Sequence, residues 1–209
     1  MPGRLITLEG GEGVGKSTLA KALAQAIEAA GQKVVTTREP GGTPGADQIR
    51  ALLVTGAGAR WSALTETLLL TAARNDHLER VIRPALARGD WVLCDRYTDS
   101  THAYQAAGGG VPAVMVTALT GWIDAPVPDL TIVLDLDPAL GLARAGSTAA
   151  GEARFEGRDA DFHARVRAAF LAIASATPRR CVVIDATADR AQVVRLARDA
   201  IAQRLGLAL

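Results

Sequence analysis

The octapeptide GGEGVGKS at residues 10–17 restricts the possible folds of this chain more than any other segment. It matches the pattern G-x-x-x-x-G-K-[ST] and lies between an apolar run at residues 4–9 and a long amphipathic run. Glycines let the backbone N–H groups of such a loop turn toward phosphates, and a helix that begins near Gly15 directs its positive dipole end at them. The segment therefore predicts a strand, a phosphate-binding loop and a helix, in that order.

We expect this loop to bind ATP. In a loop of this type the lysine, Lys16, bridges the β- and γ-phosphates, and the hydroxyl of Ser17 is a ligand of Mg²⁺. The sequence argues against a guanine-specific GTPase, because the N-K-x-D element is missing and the one asparagine is Asn75, in RNDH. The other residues expected to contact ATP are Gly10, Gly11, Glu12, Gly13, Val14, Gly15 and Thr18.

Apolar runs rich in β-branched residues recur along the chain and are typical of strands buried on both faces. They lie at residues 4–9, 33–37, 91–95, 130–136 and 181–185, and helical patterns separate them. This alternation predicts an α/β, three-layer P-loop NTPase fold, with a five-stranded parallel sheet wrapped by helices, as a single domain over residues 1–209. The long connection between the second and third runs should hold two helices, at about 44–54 and 62–87.

A stretch of weak periodicity interrupts this pattern at residues 145–160. It holds three glycines, several small residues, Arg154 and Arg158. Such composition is typical of a surface loop that moves, so we expect a small mobile lid there.

Composition narrows the class of partner. The net charge is +1, so no global field would hold DNA or an anionic membrane, and we expect small phosphorylated ligands with neither a nucleic acid nor a membrane partner. Cys94 and Cys181 lie in apolar runs without disulfide or zinc spacing, which fits core thiols in a cytoplasmic protein. His77, His102 and His163 are scattered, and we interpret them as structural or solvated.

Two polar segments follow predicted strands, where ligands of open α/β sheets bind. Asp95 and Arg96 follow the third run: the carboxylate is placed to serve the metal or orient an acceptor, and the guanidinium can clamp an acceptor phosphate. TREPGGT, at residues 37–43, follows the second run, and by composition alone it is only a turn with a stiffening proline.

TREPGGT, together with EGGEGVGKST, TAAR, DRY and DSTHAYQ, resembles the bacterial thymidylate kinase family over essentially the whole chain. The resemblance implies transfer of the γ-phosphoryl group from MgATP to thymidylate (dTMP), with ATP as co-substrate and Mg²⁺ as cofactor, by a homodimer. The stripe Leu64, Leu68, Thr71 and Ala72 is then either core or a dimer face.

The resemblance also implies roles for individual residues. Glu12 lies near the sugar and phosphates of thymidylate, Arg74 contacts the thymine ring, and Asp95 and Arg96 are the acidic and phosphate-binding residues of the DRY element. Arg154 and Arg158 match lid arginines that supply the transition-state charge absent from the loop, which has no basic residue before Lys16. Arg144 is an adenine-side or phosphate-side candidate. The remaining acceptor-site residues are Glu39, Pro40, Ser100, Thr101, Tyr104 and Gln105, the last four paired at helical i, i+4 spacing.

Two departures from the family pattern leave the acceptor open. Leu70 stands where many relatives stack a phenylalanine on the thymine, and Gly109 replaces an arginine. Leu70 still packs on a base by apolar contact and belongs to the expected acceptor site. A kinase of another acceptor, such as a deoxynucleoside or a different monophosphate, therefore stays an alternative. A second alternative, from a different class, is a P-loop ATPase that binds a protein or DNA partner.

Overall fold

The computed structural model describes residues 3–55, 60–145 and 158–209. Its five strands form one sheet in which every neighbouring pair is parallel, in the order β2-β3-β1-β4-β5. This arrangement confirms the predicted α/β fold. The strands are β1 (Arg4–Glu9), β2 (Val34–Arg38), β3 (Trp91–Asp95), β4 (Leu130–Asp135) and β5 (Cys181–Asp185).

Helices connect the strands and cover both faces of the sheet. Two of them continue into wider π-helical turns, at Leu78–Ile82 and His102–Gly108. The helices of the described chain are α1 (Lys16–Ala29), α2 (Pro44–Val54), α3 (Ala63–His77), α4 (Arg83–Ala87), α5 (Thr98–Thr101), α6 (Ala113–Trp122), α7 (Pro138–Ala145), α8 (Ala160–Ala176) and α9 (Arg190–Leu205).

The observed boundaries agree with the sequence in most places. Three strand runs match to the residue, whereas β2 is shifted by one position and β4 is one residue shorter than predicted. The helix predicted at about 62–87 is confirmed as a continuous helical stretch over residues 63–87, although a π-helical turn lies between its α3 and α4 parts. Pro84 lies just after this turn and has no N–H to donate to the preceding turn of helix. The lid prediction falls mainly on residues 146–157, which lie outside the described residues.

The sheet separates two layers of core. Ile6 and Leu8 point from β1 toward α1 and α9, where they pack with buried leucine, isoleucine and alanine side chains. On the opposite face, Leu5 packs with Tyr97 and with residues of the turn after α3. Cys94 and Cys181 are buried free thiols, as expected. Within the described chain no helix combines the length and apolar character needed to cross a bilayer.

The strand order decides where the polar segments meet. Because β1 is central, the loop that follows it lies at the middle of the carboxyl edge of the sheet. Asp95, at the end of β3, is in register with Leu8 of β1 on one side and with Arg38 of β2 on the other. The phosphate-binding loop, TREPGGT and the DRY element are therefore neighbours.

Candidate active site

The loop at residues 10–17 adopts a conformation that depends on its glycines. Gly13 has φ +64°, and a Cβ atom there would lie 1.9 Å from the carbonyl oxygen of Gly141 in α7. Lys16, the first residue of α1, folds back over the loop and donates to the carbonyls of Gly10 (3.1 Å) and Gly11 (2.6 Å). The ammonium group therefore lies against the backbone of the loop, where the phosphates of a nucleotide are expected to bind.

Lys16 is an electrostatically tuned cation. Burial, and secondly the like charge of Arg96, lower its pKa from 10.5 to about 8, although Asp95, Glu12 and Glu9 act in the opposite direction. A phosphate bound next to this buried ammonium group would stabilise its charged form and raise its pKa.

Ser17 and Asp95, the two residues predicted to bind the metal, lie next to each other. The Ser17 hydroxyl donates to Asp95 Oδ2 over 2.8 Å, and the pair is exposed to solvent. Two hard oxygen ligands at this separation fit an edge of a Mg²⁺ octahedron, which is about 2.9 Å long for ligands at about 2.0–2.1 Å. The donor set therefore suits magnesium with water and phosphate oxygens completing its shell.

A cleft of about 530 Å³ opens on the other side of the loop. All nine residues expected at the acceptor site line it, and Glu12 does so too. Leu53, Val54 and Tyr97 also line it, and these three were not predicted. The nine expected residues are Glu39, Pro40, Leu70, Arg74, Arg96, Ser100, Thr101, Tyr104 and Gln105.

The floor of the cleft is a buried ion pair. Arg74 Nε donates to Glu39 Oε2 over 2.7 Å, and both side chains are less than 5% exposed. Arg74 Nη2 also donates to the Tyr97 carbonyl (3.1 Å) and to Thr101 Oγ1 (3.0 Å). Burial alone would lower the pKa of Arg74, but the Glu39 carboxylate outweighs it and raises the pKa. These bonds fix the plane of the guanidinium and leave its Nη1 edge for a ligand.

His77 contacts the Glu39 carboxylate of this ion pair. Its Nδ1 is 3.0 Å from Glu39 Oε1 and its Nε2 is 2.7 Å from Thr37 Oγ1, with no exposed surface. The ring also explains one glycine of TREPGGT, because a Cβ atom on Gly42 would lie 2.7 Å from the imidazole. Glu39, His77 and Cys94 lie close enough together to suggest a metal site. However, Arg74 and His77 already occupy the carboxylate, so these residues form a structural network.

Arg96 joins the loop to the cleft. Its backbone has φ +67°, and its side chain donates to the Gly10 carbonyl (3.1 Å) and to Glu12 Oε1 (3.1 Å) while lying 4.8 Å from the Tyr104 ring centroid. Tyr104 Oη donates to the same oxygen of Glu12 over 2.6 Å. Burial would raise the pKa of Glu12, but Arg96, Lys16 and the Tyr104 hydrogen bond outweigh it, and the pKa is lowered. Glu12 is therefore a buried carboxylate held in its charged form.

Glu9, the last residue of β1, anchors the DRY element from within the core. Its Oε1 accepts from the backbone N–H groups of Tyr97 (2.8 Å) and Ser100 (3.3 Å), and its Oε2 accepts from Ser100 Oγ (2.6 Å). Burial, and then the charge of Asp99, raise its pKa from 4.5 to about 7. These bonds tie the start and the body of the short helix α5 to the end of β1.

The residues expected to form helical ridges line the cleft, but not on a regular α-helix. α5 ends at Thr101, and a π-helical turn carries Tyr104 and Gln105. The wider turn moves these two side chains off strict i, i+4 alignment with Ser100 and Thr101. All four nevertheless face the same space.

The remaining predicted arginines are more peripheral. Arg144 Nη1 donates to the carbonyl of Ala186, just after β5 (3.2 Å). Arg158 lies outside the cleft lining, with Nη2 3.9 Å from Glu66 Oε1 and its guanidinium 5.4 Å from the Phe162 ring. Arg154 lies outside the described residues. Of the two lid arginines, the structure therefore describes only Arg158, and it places this residue in contact with Glu66 and Phe162.

Sequence reasoning missed three polar residues of this site. Glu9 is a carboxylate at the end of an otherwise apolar strand, and His77 follows Arg74 by three residues, so it shares a helix face with it. Both signals were readable. His163 reaches Glu12 from a distant helix, with Nδ1 3.7 Å from Oε2, and nothing in its local sequence indicates this contact.

Comparison with known proteins agrees with this geometry. The thymidylate kinase family model matches residues 8–197. The chain is 55% identical over 206 residues to the thymidylate kinase of Caulobacter vibrioides, covering 98% of this chain and 99% of that protein. It is 52% identical over 187 residues to that of Magnetococcus marinus, covering 89% of each. The crystal structure of thymidylate kinase from Ehrlichia chaffeensis superimposes with a TM-score of 0.78 at 32% identity, covering 96% of this chain and 99% of that one.

Proposed function

The chain belongs to the thymidylate kinase family, and from this membership we propose how its two neighbouring sites divide the work of phosphoryl transfer. The reaction moves the γ-phosphoryl group of ATP to the 5′-phosphate of thymidylate and gives dTDP and ADP. The observation that carries our assignment of residues is the position of Arg96, which bonds both to the loop at Gly10 and to the cleft at Glu12.

The loop at residues 10–17 holds the donor. Its backbone N–H groups and the N-terminus of α1 bind the β- and γ-phosphates, and Lys16 exchanges its bonds to Gly10 and Gly11 for bonds to phosphate oxygens. Ser17 and Asp95 are the residues that would hold Mg²⁺. Bound there, the ion neutralises charge on the phosphates of ATP.

The cleft holds the acceptor. Arg96 binds the 5′-phosphate, since its guanidinium lies next to the loop where the γ-phosphate ends. Glu12 faces the sugar and orients Arg96. Arg74, fixed by Glu39, presents its Nη1 edge to the thymine ring, and Leu70 packs on that ring by apolar contact.

The protein's chief task in phosphoryl transfer is to align the two phosphates and to neutralise charge. Lys16 and Arg96 do so from the two sites, and we assign the remaining positive charge to Arg154 and Arg158. Arg158 must leave its position beside Glu66 to act in this way.

We further propose that the enzyme is a cytoplasmic homodimer. Leu64 and Leu68 on α3 are 42% and 49% exposed, and Val114 on the adjacent helix α6 is 76% exposed. Single exposed leucines are common on protein surfaces, but a group of exposed apolar side chains on neighbouring helices is typical of a protein–protein interface. A second copy of the chain could cover these side chains in a symmetric dimer. The buried free thiols agree with a reducing compartment. Light scattering of Leu68→Glu should show a monomer where the wild type shows a dimer.

A coupled assay of ADP release against thymidylate, deoxyuridylate, deoxycytidylate and thymidine tests the acceptor assignment. We expect the highest kcat/KM for thymidylate, with thymidine inactive because it offers no phosphate to Arg96. Equal rates with thymidine would instead indicate a deoxynucleoside kinase. ATP hydrolysis that requires a protein or DNA and yields no phosphorylated nucleotide would indicate an ATPase of the other class.

A further inference from the structure

The carboxylate of Glu12 uses one of its two oxygens for all the hydrogen bonds described above. Oε1 accepts from Tyr104 and Arg96, whereas Oε2 has no hydrogen-bond partner within the described residues, although the side chain is only 7% exposed. An unsatisfied buried polar atom costs about 1–3 kcal/mol, and more for a charged group. Such an atom in a functional carboxylate requires a physical explanation.

His163 is the side chain that faces this oxygen. Its Nδ1 is 3.7 Å from Glu12 Oε2, its side chain is 4% exposed, and its Nε2 also lacks a hydrogen-bond partner in the described chain. His163 lies one turn after Asp159, the residue that caps α8, and its ring meets the ring of Phe162 edge-on. A separation of 3.7 Å is a few tenths of an ångström beyond hydrogen-bond range, so a small shift would complete the bond.

Among the described residues that line this side of Glu12, His163 is the one whose donor approaches Oε2. Both residues line a cavity of about 410 Å³ between the phosphate-binding loop, the end of β4 and α8. The other charged side chains that line this cavity are Asp135, Asp137 and Arg167. Arg167 already makes two hydrogen bonds to Asp135, at 2.7 and 2.9 Å, and its Nη1 lies 3.8 Å from Asp137. The cavity also has room for a water that could bridge the two side chains.

We infer that His163 is a positioning residue for Glu12 in acceptor binding. It donates from Nδ1 to Oε2, directly or through one water, and so keeps Oε1 turned toward Arg96, Tyr104 and the acceptor. The inference rests on the role proposed above for Glu12. A histidine that only fills the core would affect stability and both substrates alike, whereas a positioning residue affects the acceptor selectively.

Replacement of His163 tests this selectivity. His163→Leu should raise the KM for thymidylate about tenfold and leave the KM for ATP within about twofold of the wild type. His163→Asn keeps an N–H near the place of Nδ1, and it should restore the KM for thymidylate to within about twofold. Equal changes in both KM values, or no change in either, would overturn the inference. If the leucine variant does not fold, His163→Gln serves instead, because its amide reaches the place of Nε2 and not that of Nδ1.

A double-mutant cycle with Glu12→Ala separates this inference from the proposed function. In the Glu12→Ala background, His163→Leu should change the KM for thymidylate by less than about twofold, because the group that it positions is gone. A full tenfold effect in that background would refute the positioning role while leaving the role of Glu12 intact. If Glu12→Ala alone left the KM for thymidylate unchanged, the proposed role of Glu12 would itself fail.

Discussion

The donor and acceptor sides of the active site are built in different ways. The donor side is one contiguous loop, residues 10–17, whose backbone forms most of the site. The acceptor side gathers side chains from the loops that follow β1, β2 and β3 and from the helices around them, and buried ion pairs such as Arg74 with Glu39 hold it together. The geometry of the donor loop depends on residues that are adjacent in the sequence. The geometry of the acceptor cleft depends on contacts between side chains from distant parts of the chain.

This difference predicts different costs of mutation. Loss of a donor-side cation should lower turnover and leave the fold intact. Loss of one member of an acceptor-side ion pair leaves a desolvated charge behind, so it should lower both binding and stability. The predictions that follow test this contrast.

The largest effect should come from the lid. Arg154→Ala combined with Arg158→Ala should lower kcat about 10³-fold or more, because these cations act on charge that develops only in the transition state. Binding of thymidylate, measured by calorimetry, should change less than about twofold. The double variant Arg179→Ala, Arg195→Ala removes two exposed arginines elsewhere and serves as the control. Near-normal turnover of the lid variant would refute the assignment.

Lys16→Met tests the donor side directly. It should lower kcat about 10²–10³-fold, since a preorganised cation is lost. The melting temperature should not fall, because burial already disfavours the charged ammonium, as its lowered pKa indicates. Lys33→Met, at an exposed position before β2, is the matched control for rate and melting. A marked loss of stability would contradict the contrast between the two sides.

Arg74→Met tests the acceptor side. It should lower the free energy of unfolding by about 3–5 kcal/mol, because the buried carboxylate of Glu39 loses its arginine partner and keeps only the contact with His77, and it should raise the KM for thymidylate. Adding Glu39→Gln should recover part of the stability but not the KM. The solvent-accessible ion pair of Arg80 with Asp76 provides the control, since Arg80→Met should change the stability far less than Arg74→Met does. Recovery of both quantities in the double variant would show that Arg74 does not touch the substrate.

Glu9→Gln tests whether burial raises the pKa of the Glu9 carboxyl group. The measurement is the pH dependence of the free energy of unfolding. The pKa of Glu9 is raised from 4.5 to about 7 by folding. Between these two pH values the folded chain therefore keeps a proton on Glu9 that the unfolded chain has lost. The resulting stabilisation is complete below about pH 4.5 and disappears as the pH rises through about 7. The neutral glutamine variant should therefore gain stability relative to the wild type in urea titrations between about pH 5 and 8. A difference that does not vary with pH would show that the Glu9 pKa is not raised.

Leu70→Phe should have the smallest effect. An aromatic ring at this position of the cleft can stack on the thymine, and such pairs contribute about 0.5–1.5 kcal/mol. The KM for thymidylate should therefore fall about two- to tenfold, with kcat unchanged. Leu70→Met, which preserves volume without an aromatic face, is the control. An equal gain from methionine would attribute the change to packing alone.

The predictability of the site follows the same division. The loop and its helix could be read from residues 10–17 because their geometry depends on local backbone preferences. The acceptor residues came from the resemblance of TREPGGT, TAAR and DRY to a known family, and the structure gathers all nine around one cleft. Sequence spacing did not reveal that a π-helical turn presents Tyr104, since it implied a regular helix. Nor did it reveal that Gly42 makes room for the ring of His77.

The sequence by itself determined the alternation of strands and helices, the phosphate-binding loop and the family, because these depend on residues that are neighbours in the chain. Only the tertiary structure decided which polar groups became partners. Parallel strand order brings Glu9, Asp95 and Arg38 to one edge, and packing of α8 against the loop brings His163 to Glu12 across more than a hundred residues. Burial then set the charge states of these groups, because desolvation depends on the whole fold and not on local sequence.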